Sequence, residues 1–166
     1  MNSSEKINLL TLPVIITPIN LFQSIIISFP IYYYKNRGTT KYILIVFQEC
    51  AFKKLKSGSA LKVSFQGNMR VQGDRKGNRW YFKFNGNECS GPMTIEAVVY
   101  NDWSSGNPNL LYHWSFEGYC ENIPQGAVRV ELWVGGCSSG NALGDAYTGW
   151  ESVSRIMIDE VSRPQS

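Results

Sequence analysis

Apolar and polar side chains alternate with a period of two along much of the chain after residue 60. In the range 60–72 the apolar residues take every second position, with Gly67 where we expect a bulge. In the range 79–84 the same alternation places Trp80, Phe82 and Phe84 on one side. This period predicts half-buried β-strands, each followed by a turn rich in Asn, Asp and Gly.

Four further short runs have the composition of strands, and turn-forming residues separate them. No stretch carries the 3.6-residue apolar stripe of a helix. Six or more short strands of this kind predict an all-β fold, an antiparallel β-sandwich or jelly roll. The four runs cover residues 95–100, 110–116, 128–134 and 153–161.

The amino-terminal part of the chain has a different character. Residues 7–34 carry no charged side chain, a length sufficient to span a membrane. Three prolines interrupt this range, and most of the nearby basic residues follow it, which argues against a helical span. We therefore expect residues 1–45 to be a targeting segment or an artefact of how the chain is defined, outside the fold. Residues 46–166 then form the domain, and anchoring through residues 7–34 is the alternative localisation.

The four cysteines show no Cys-x-x-Cys spacing, so a disulfide framework in an oxidising compartment is favoured over zinc binding or redox chemistry. Buried free thiols are the alternative. If consecutive strands run antiparallel, Cys89 and Cys120 lie at one end of the sandwich, whereas Cys50 and Cys137 lie at the other. Because a disulfide needs Cα atoms within about 7 Å, this geometry predicts the pairs Cys50–Cys137 and Cys89–Cys120.

The formal net charge of +3 conceals a strong asymmetry. The range 53–83 contains nine basic residues and one acidic residue, whereas the range 84–166 contains three Lys or Arg residues and ten acidic residues. Clustered cations suit a sulfated polyanion such as heparan sulfate, and an ordinary solvated face or a contact between subunits are the alternatives. We expect the two strands that carry the last three candidates to lie in the same half of the domain, where a shared face would make one patch. The candidate polyanion-binding residues are Lys53, Lys54, Lys56, Lys62, Arg79 and Lys83.

His113 is the only histidine, which excludes a metal site with two imidazoles and leaves a single candidate base for a Ser-His-Asp hydrolase. Alternation places His113 outward, so the hydrolase is the weaker hypothesis. We expect no enzymatic activity, no metal, no cofactor and no nucleic-acid partner.

Six stretches of the chain closely resemble the carboxy-terminal domain of the collagen triple helix repeat-containing proteins. Two of them, RWYFKFNGNECSGPMTIEAVVY and GDAYTGWESVSRIMIDE, are long and specific. Together they extend over roughly residues 50–161. The six are CAFKK (50–54), SALKVSFQG (59–67), RWYFKFNGNECSGPMTIEAVVY (79–100), EGYCENIPQG (117–126), WVGGCS (133–138) and GDAYTGWESVSRIMIDE (144–160).

This resemblance implies a secreted, matrix-associated glycoprotein whose globular end is similar to the tumour-necrosis-factor and complement-head jelly roll and is usually trimeric. It also implies a role as a modulator of Wnt signalling, cell migration and collagen deposition, with Wnt and Frizzled-type receptors among the partners. We therefore expect an extracellular protein-binding module, with polyanion binding as the alternative function.

Overall fold

The computed structural model describes residues 24–29, 32–33, 45–102, 110–137, 140, 143–149 and 152–163. Within these ranges it contains strands, turns and loops and no helix, so the all-β prediction is confirmed. The strands are β1 (Ser24–Phe29), β2 (Tyr32–Tyr33), β3 (Ile45–Lys54), β4 (Ala60–Gln72), β5 (Lys76–Phe84), β6 (Asn87–Glu88), β7 (Glu96–Asn101), β8 (Tyr112–Cys120), β9 (Gly126–Gly135), β10 (Asp145–Thr148) and β11 (Ser154–Val161).

The strands form two antiparallel sheets in a sandwich arrangement consistent with a jelly roll. The first sheet has the order β1-β11-β4-β10-β2, with β8 on the free side of β4. The second has the order β3-β9-β5-β6, with β7 also pairing with β5. Although β4 and β5 are consecutive and joined by a tight turn, they belong to different sheets.

The core lies between the sheets and follows the alternation of the sequence. The first sheet contributes the apolar side of β4 and β11, and the second contributes the apolar sides of β3, β5 and β9. Burial of these side chains removes a large apolar area from water, which is the main favourable term in folding. The fully buried members include Phe52, Leu61, Val63, Phe65, Met69, Trp80, Phe82, Leu132, Ile156 and Ile158.

Gly67 lies where β4 changes partners, and this replaces the predicted bulge. On one side β4 pairs with β8 without a register shift, while on the other it pairs first with β11 and then, beyond Gln66, with β10. A Cβ at Gly67 would come within 2.4 Å of Ser154 Oγ. Glycine is therefore required because the beginning of β11 approaches the backbone closely, not because the strand bulges.

The amino-terminal prediction is wrong for two short ranges. β1 pairs with β11 along its whole length, and β2 pairs with β10. The physical reason is that an uncharged, isoleucine-rich run of this length suits a strand as well as a targeting segment. The rest of residues 1–44 lies outside the described residues. In the described part of the chain no helix is long and apolar enough to cross a membrane.

The disulfide between Cys89 and Cys120 is confirmed. Their Cα atoms lie 5.7 Å apart, and the bond links the segment after β6 in the second sheet to the end of β8 in the first. The same end of the sandwich is held by a hydrogen bond from the Glu121 amide to the Gly91 carbonyl, with a nitrogen–oxygen distance of 2.7 Å.

The second predicted pair, Cys50–Cys137, is wrong: both cysteines are free thiols. Cys50 lies opposite Val130 in the middle of the β3–β9 ladder, whereas Cys137 follows the end of β9 at Gly135. Since a strand rises about 3.3 Å per residue, Gly135 is already roughly 16 Å from Val130. Burial raises the pKa of the Cys50 thiol to about 12, with a further contribution from Glu49.

Removing the disulfide should destabilise the domain measurably. The variant Cys89→Ser/Cys120→Ser should lose roughly 3–4 kcal/mol in its free energy of unfolding, because a link across this sequence separation restricts the unfolded chain. Chemical denaturation measures this loss, and Cys137→Ser is the matched control that should change stability little. Peptide mapping without reduction that recovered a Cys50–Cys137 peptide would contradict the assignment.

Candidate interaction surfaces

The predicted basic run at residues 53–56 spans the end of β3 and the following turn. Lys53 and Lys56 are exposed, but Lys54 is only 1% exposed and its Nζ donates a hydrogen bond to the Lys56 carbonyl. Lys54 is buried because it continues the side of β3 that carries Phe52. The structure therefore places Lys54 inside the protein, where a polyanion does not reach it.

The prediction that the strands carrying Lys62, Arg79 and Lys83 lie in the same half of the domain is wrong, because β4 and β5 belong to opposite sheets. Lys62 alternates with core residues of β4 and points away from the core of the first sheet, where its Nζ lies 3.0 Å from Glu117 Oε2. Arg79 and Lys83 alternate with the core residues of β5 and point outward from the second sheet. The six candidate cations thus lie on at least two separate surfaces.

On the outer face of the second sheet the cations are paired with acids or stacked on rings. Arg79 forms ion pairs with Glu88 and Glu96, and its guanidinium carbon lies 4.0 Å from the centre of the Tyr81 ring. The Nζ atom of Lys83 lies 4.1 Å from the centre of the Trp133 ring. These contacts stabilise the sheet face through ion pairing and cation–π attraction. They leave less of the positive charge available for an external anion.

A buried carboxylate organises the end of the sandwich where β3 meets β4. Glu160 is 1% exposed and accepts hydrogen bonds from the amides of Leu55 and Lys56, both at 2.7 Å, and from the Ser59 hydroxyl. Glu160 belongs to β11 of the first sheet, whereas Lys54 is the last residue of β3 in the second sheet and Leu55 follows it. The carboxylate therefore joins the two sheets and fixes the conformation of the turn at residues 55–59, which we call the clamped turn.

The protonation of this cluster follows from its contacts. Burial alone would raise the pKa of Glu160, but the hydrogen bonds from Ser59, Leu55 and Lys56 and the charge of Lys54 outweigh it and hold that pKa below the ordinary value of a glutamate. Burial lowers the pKa of Lys54, while Glu160 raises it and Arg163 lowers it further. Arg163 is thus close enough to the cluster for its charge to act on Lys54.

The clamped turn forms one wall of a surface pocket of about 470 Å³, which we call the polar pocket. The other walls come from the β8–β9 connection and from the residues after β11. Arg163 is held there by Asn122, whose Oδ1 accepts a hydrogen bond of 2.8 Å, and its Nε lies 3.9 Å from Glu121 Oε2. The side chains that line the pocket are Lys56, Ser57, Ser59, Gln125, Ser162 and Arg163.

A second surface feature lies at the edge strand β8. Tyr112 and Trp114 are 54% and 40% exposed, although they pair with Met69 and Gly67 of β4 and share the side of β8 that faces the core. Phe116, further along the same side, packs against Phe65 and Phe82. Within the described residues β8 pairs only with β4. We call Tyr112 and Trp114 together the aromatic edge.

His113 is exposed on the opposite side of β8 and pairs with Asn68 across the ladder. Among the residues that the structure describes, no hydrogen bond joins His113 to a serine or a carboxylate. The same part of the chain holds no cluster of three or more His, Cys, Asp or Glu side chains suited to a metal ion.

Removing the charge of Glu160 should destabilise the protein and change its pH dependence. Glu160→Gln leaves Lys54 buried without its counter-charge, which should cost about 3–5 kcal/mol at neutral pH. Because the folded pKa of Glu160 is lowered, its stabilisation is present above the ordinary pKa of a glutamate and is lost as the pH falls through the folded pKa. Urea unfolding between pH 3 and 7 measures both effects.

The control for this prediction is Glu117→Gln, which removes an exposed ion pair with Lys62 and should cost less than about 1 kcal/mol. Equal losses for Glu117→Gln and Glu160→Gln would contradict the structural role assigned to Glu160.

A comparison with models of known protein families shows the family of this chain. Residues 33–158 match the family model described as CTHRC1, C-terminal domain. This range runs from the end of β2 to Ile158 of β11, so it includes the whole second sheet and the first sheet except β1. The resemblance carried by the sequence motifs is thereby confirmed. The chain belongs to the CTHRC1 C-terminal domain family.

Proposed function

We propose that this domain is secreted, binds other proteins outside the cell as part of a homotrimer, and modulates Wnt signalling, cell migration and collagen deposition. Membership of the CTHRC1 C-terminal domain family supports the extracellular setting. The Cys89–Cys120 disulfide supports it independently, because disulfides persist mainly in oxidising compartments. The partners that the family resemblance suggests are Wnt proteins and Frizzled-type receptors.

The aromatic edge is the observation that carries the proposal of self-association. Tyr112 and Trp114 lie on the side of β8 that elsewhere packs into the core, yet about half of each side chain is exposed. Aromatic side chains are enriched at the centre of protein interfaces, so two exposed aromatic residues on an edge strand indicate a binding surface. A second copy of the chain that covered this edge would also protect the side of β8 that pairs with no other described strand from uncontrolled strand pairing.

The proposed function is non-enzymatic. His113 is exposed on the outward side of β8, as the alternation predicts, which favours binding over hydrolysis. A general base has to reach the proton that it abstracts, directly or through one water molecule.

A second candidate function is binding of a polyanion such as heparan sulfate. The polar pocket favours it, since Lys56 and Arg163 lie on the same pocket although they are distant in sequence. The two functions use different surfaces and are compatible in one molecule.

Substitution of the aromatic edge should dissociate the proposed oligomer without unfolding the domain. Size-exclusion chromatography with light scattering should give the mass of a trimer for the parent chain. Tyr112→Ser/Trp114→Ser should raise the dissociation constant roughly tenfold or more, because buried aromatic anchors dominate interface energies. The thermal midpoint measured at low protein concentration should change little, since both side chains are partly exposed already.

Tyr119→Ser is the matched control, because Tyr119 is exposed on the outward side of the same strand. A monomeric parent chain, or equal effects of the two sets of substitutions, would contradict the proposed self-association. Surface plasmon resonance against the purified extracellular domain of a Frizzled-type receptor tests the partner, and absence of binding by the parent chain would contradict that part of the proposal.

A further inference from the structure

The polar pocket combines side chains that come from three separate parts of the chain. Lys56 and Ser57 belong to the clamped turn, Gln125 precedes β9, and Ser162 and Arg163 follow β11. The pocket volume of about 470 Å³ lies within the range of small-molecule sites. Its side chains offer two cations, three hydroxyl groups and one amide, and none of them is apolar.

We propose that this pocket binds a sulfated sugar unit of a glycosaminoglycan chain. This inference rests on the second candidate function, polyanion binding, and assigns it a site. The ammonium group of Lys56 and the guanidinium group of Arg163 bind the sulfate oxygens through charge-assisted hydrogen bonds. The hydroxyls of Ser57 and Ser162 and the amide of Gln125 bind the sugar hydroxyl groups.

The pocket is organised before a ligand enters, which reduces the entropy cost of binding. Glu160 holds the clamped turn through the amides of Leu55 and Lys56 and engages the Ser59 hydroxyl. Asn122 accepts a hydrogen bond from Arg163 and thereby orients its guanidinium group. Hydrogen bonds therefore hold the turn that carries Lys56 and the guanidinium group of Arg163 in place before a ligand binds.

The charges around the pocket do not all favour an anion. Glu160 is balanced by Lys54 and by three hydrogen bonds, so it contributes little negative potential at the surface. Glu121 is different, because its Oε2 lies 3.9 Å from Nε of Arg163 and competes with a sulfate group for that cation. Removing the charge of Glu121 should therefore strengthen binding.

The proposed site differs from a simple run of basic residues. Lys53 is exposed next to the same turn but does not line the pocket, and Lys54 is buried. If the linear run were the binding site, Lys53 and Lys56 would contribute equally. If the pocket is the site, Lys56 acts together with Arg163, which is absent from the run.

Isothermal titration calorimetry of the full chain with a heparin-derived hexasaccharide tests the proposal. Lys56→Gln and Arg163→Gln should each weaken binding by roughly tenfold, the size expected for losing a hydrogen bond between charged groups. Each should also reduce the dependence of affinity on salt, because fewer counterions are released. Glu121→Gln should strengthen binding by a few-fold.

The matched controls are Lys53→Gln, from the same basic run, and Arg155→Gln, an exposed position on β11. Each removes one positive charge outside the pocket and should change the affinity less than twofold. Two further probes are an unsulfated heparosan hexasaccharide, which should bind much more weakly, and sodium sulfate, which should compete only at far higher concentration.

The outcomes separate the site from the function. If the parent chain binds the hexasaccharide and Lys53→Gln weakens this binding as much as Lys56→Gln does, the pocket is not the site, although the chain binds polyanions. No binding of the hexasaccharide by the parent chain would overturn both. Equal affinity for heparosan, or competition by sodium sulfate at the concentration of the hexasaccharide, would overturn the assignment to a sulfated sugar.

Discussion

A buried carboxylate joins the two sheets of this domain at the end of the core. Glu160 extends from the first sheet and accepts hydrogen bonds from Leu55 and Lys56, which follow the last residue of the second sheet's β3. Burying an ionised carboxylate costs several kcal/mol unless hydrogen bonds and an opposite charge compensate for it. Here Lys54 supplies the charge and the clamped turn supplies the donors. The conformation of the turn and the position of Lys56 on the polar pocket therefore depend on this one side chain.

The domain presents two chemically different surfaces. The polar pocket lies where Glu160 fixes the chain and offers cations, hydroxyls and an amide. The aromatic edge lies on β8, where the inner side of the first sheet is left partly exposed at Tyr112 and Trp114. A protein that self-associates through one surface and binds a charged matrix polymer through another would present several pockets on one assembly. Such multivalency raises the overall affinity for a long polymer without any additional contact within each site.

Alternation along the chain is sufficient to predict most of the core and much of the fold. It fails where local sequence carries no information on sheet membership, as for β4 and β5, which a short turn connects although they lie in opposite sheets. For this reason the sequence alone does not show that Lys62 and Lys83 lie on two different surfaces. The same limitation produced the incorrect Cys50–Cys137 pair, because the register of β3 against β9 is a long-range property.

One part of the site could have been read from the sequence. Glu160 is in phase with Ile156 and Ile158 on β11, and Lys54 is in phase with Phe52 on β3. A charged side chain at a core-facing position requires a partner of opposite charge. Two opposite charges at core-facing positions therefore predict that the two side chains lie close together. Arg163 and Gln125 carry no comparable signal, since they reach the polar pocket from connections whose position only the folded chain determines.

Hydrogen exchange at the amides of Leu55 and Lys56 tests most directly whether Glu160 holds this end of the sandwich. Both lie in a turn with exposed side chains, and both donate to the carboxylate. Their protection factors should be high at neutral pH and should fall as the pH drops through the folded pKa of Glu160, which its contacts hold below the ordinary value of a glutamate. The Arg129 amide, which donates to the neutral Asn85 side chain, should keep its protection over the same range. Unprotected amides at neutral pH, or protection that does not respond to the protonation of Glu160, would contradict the account.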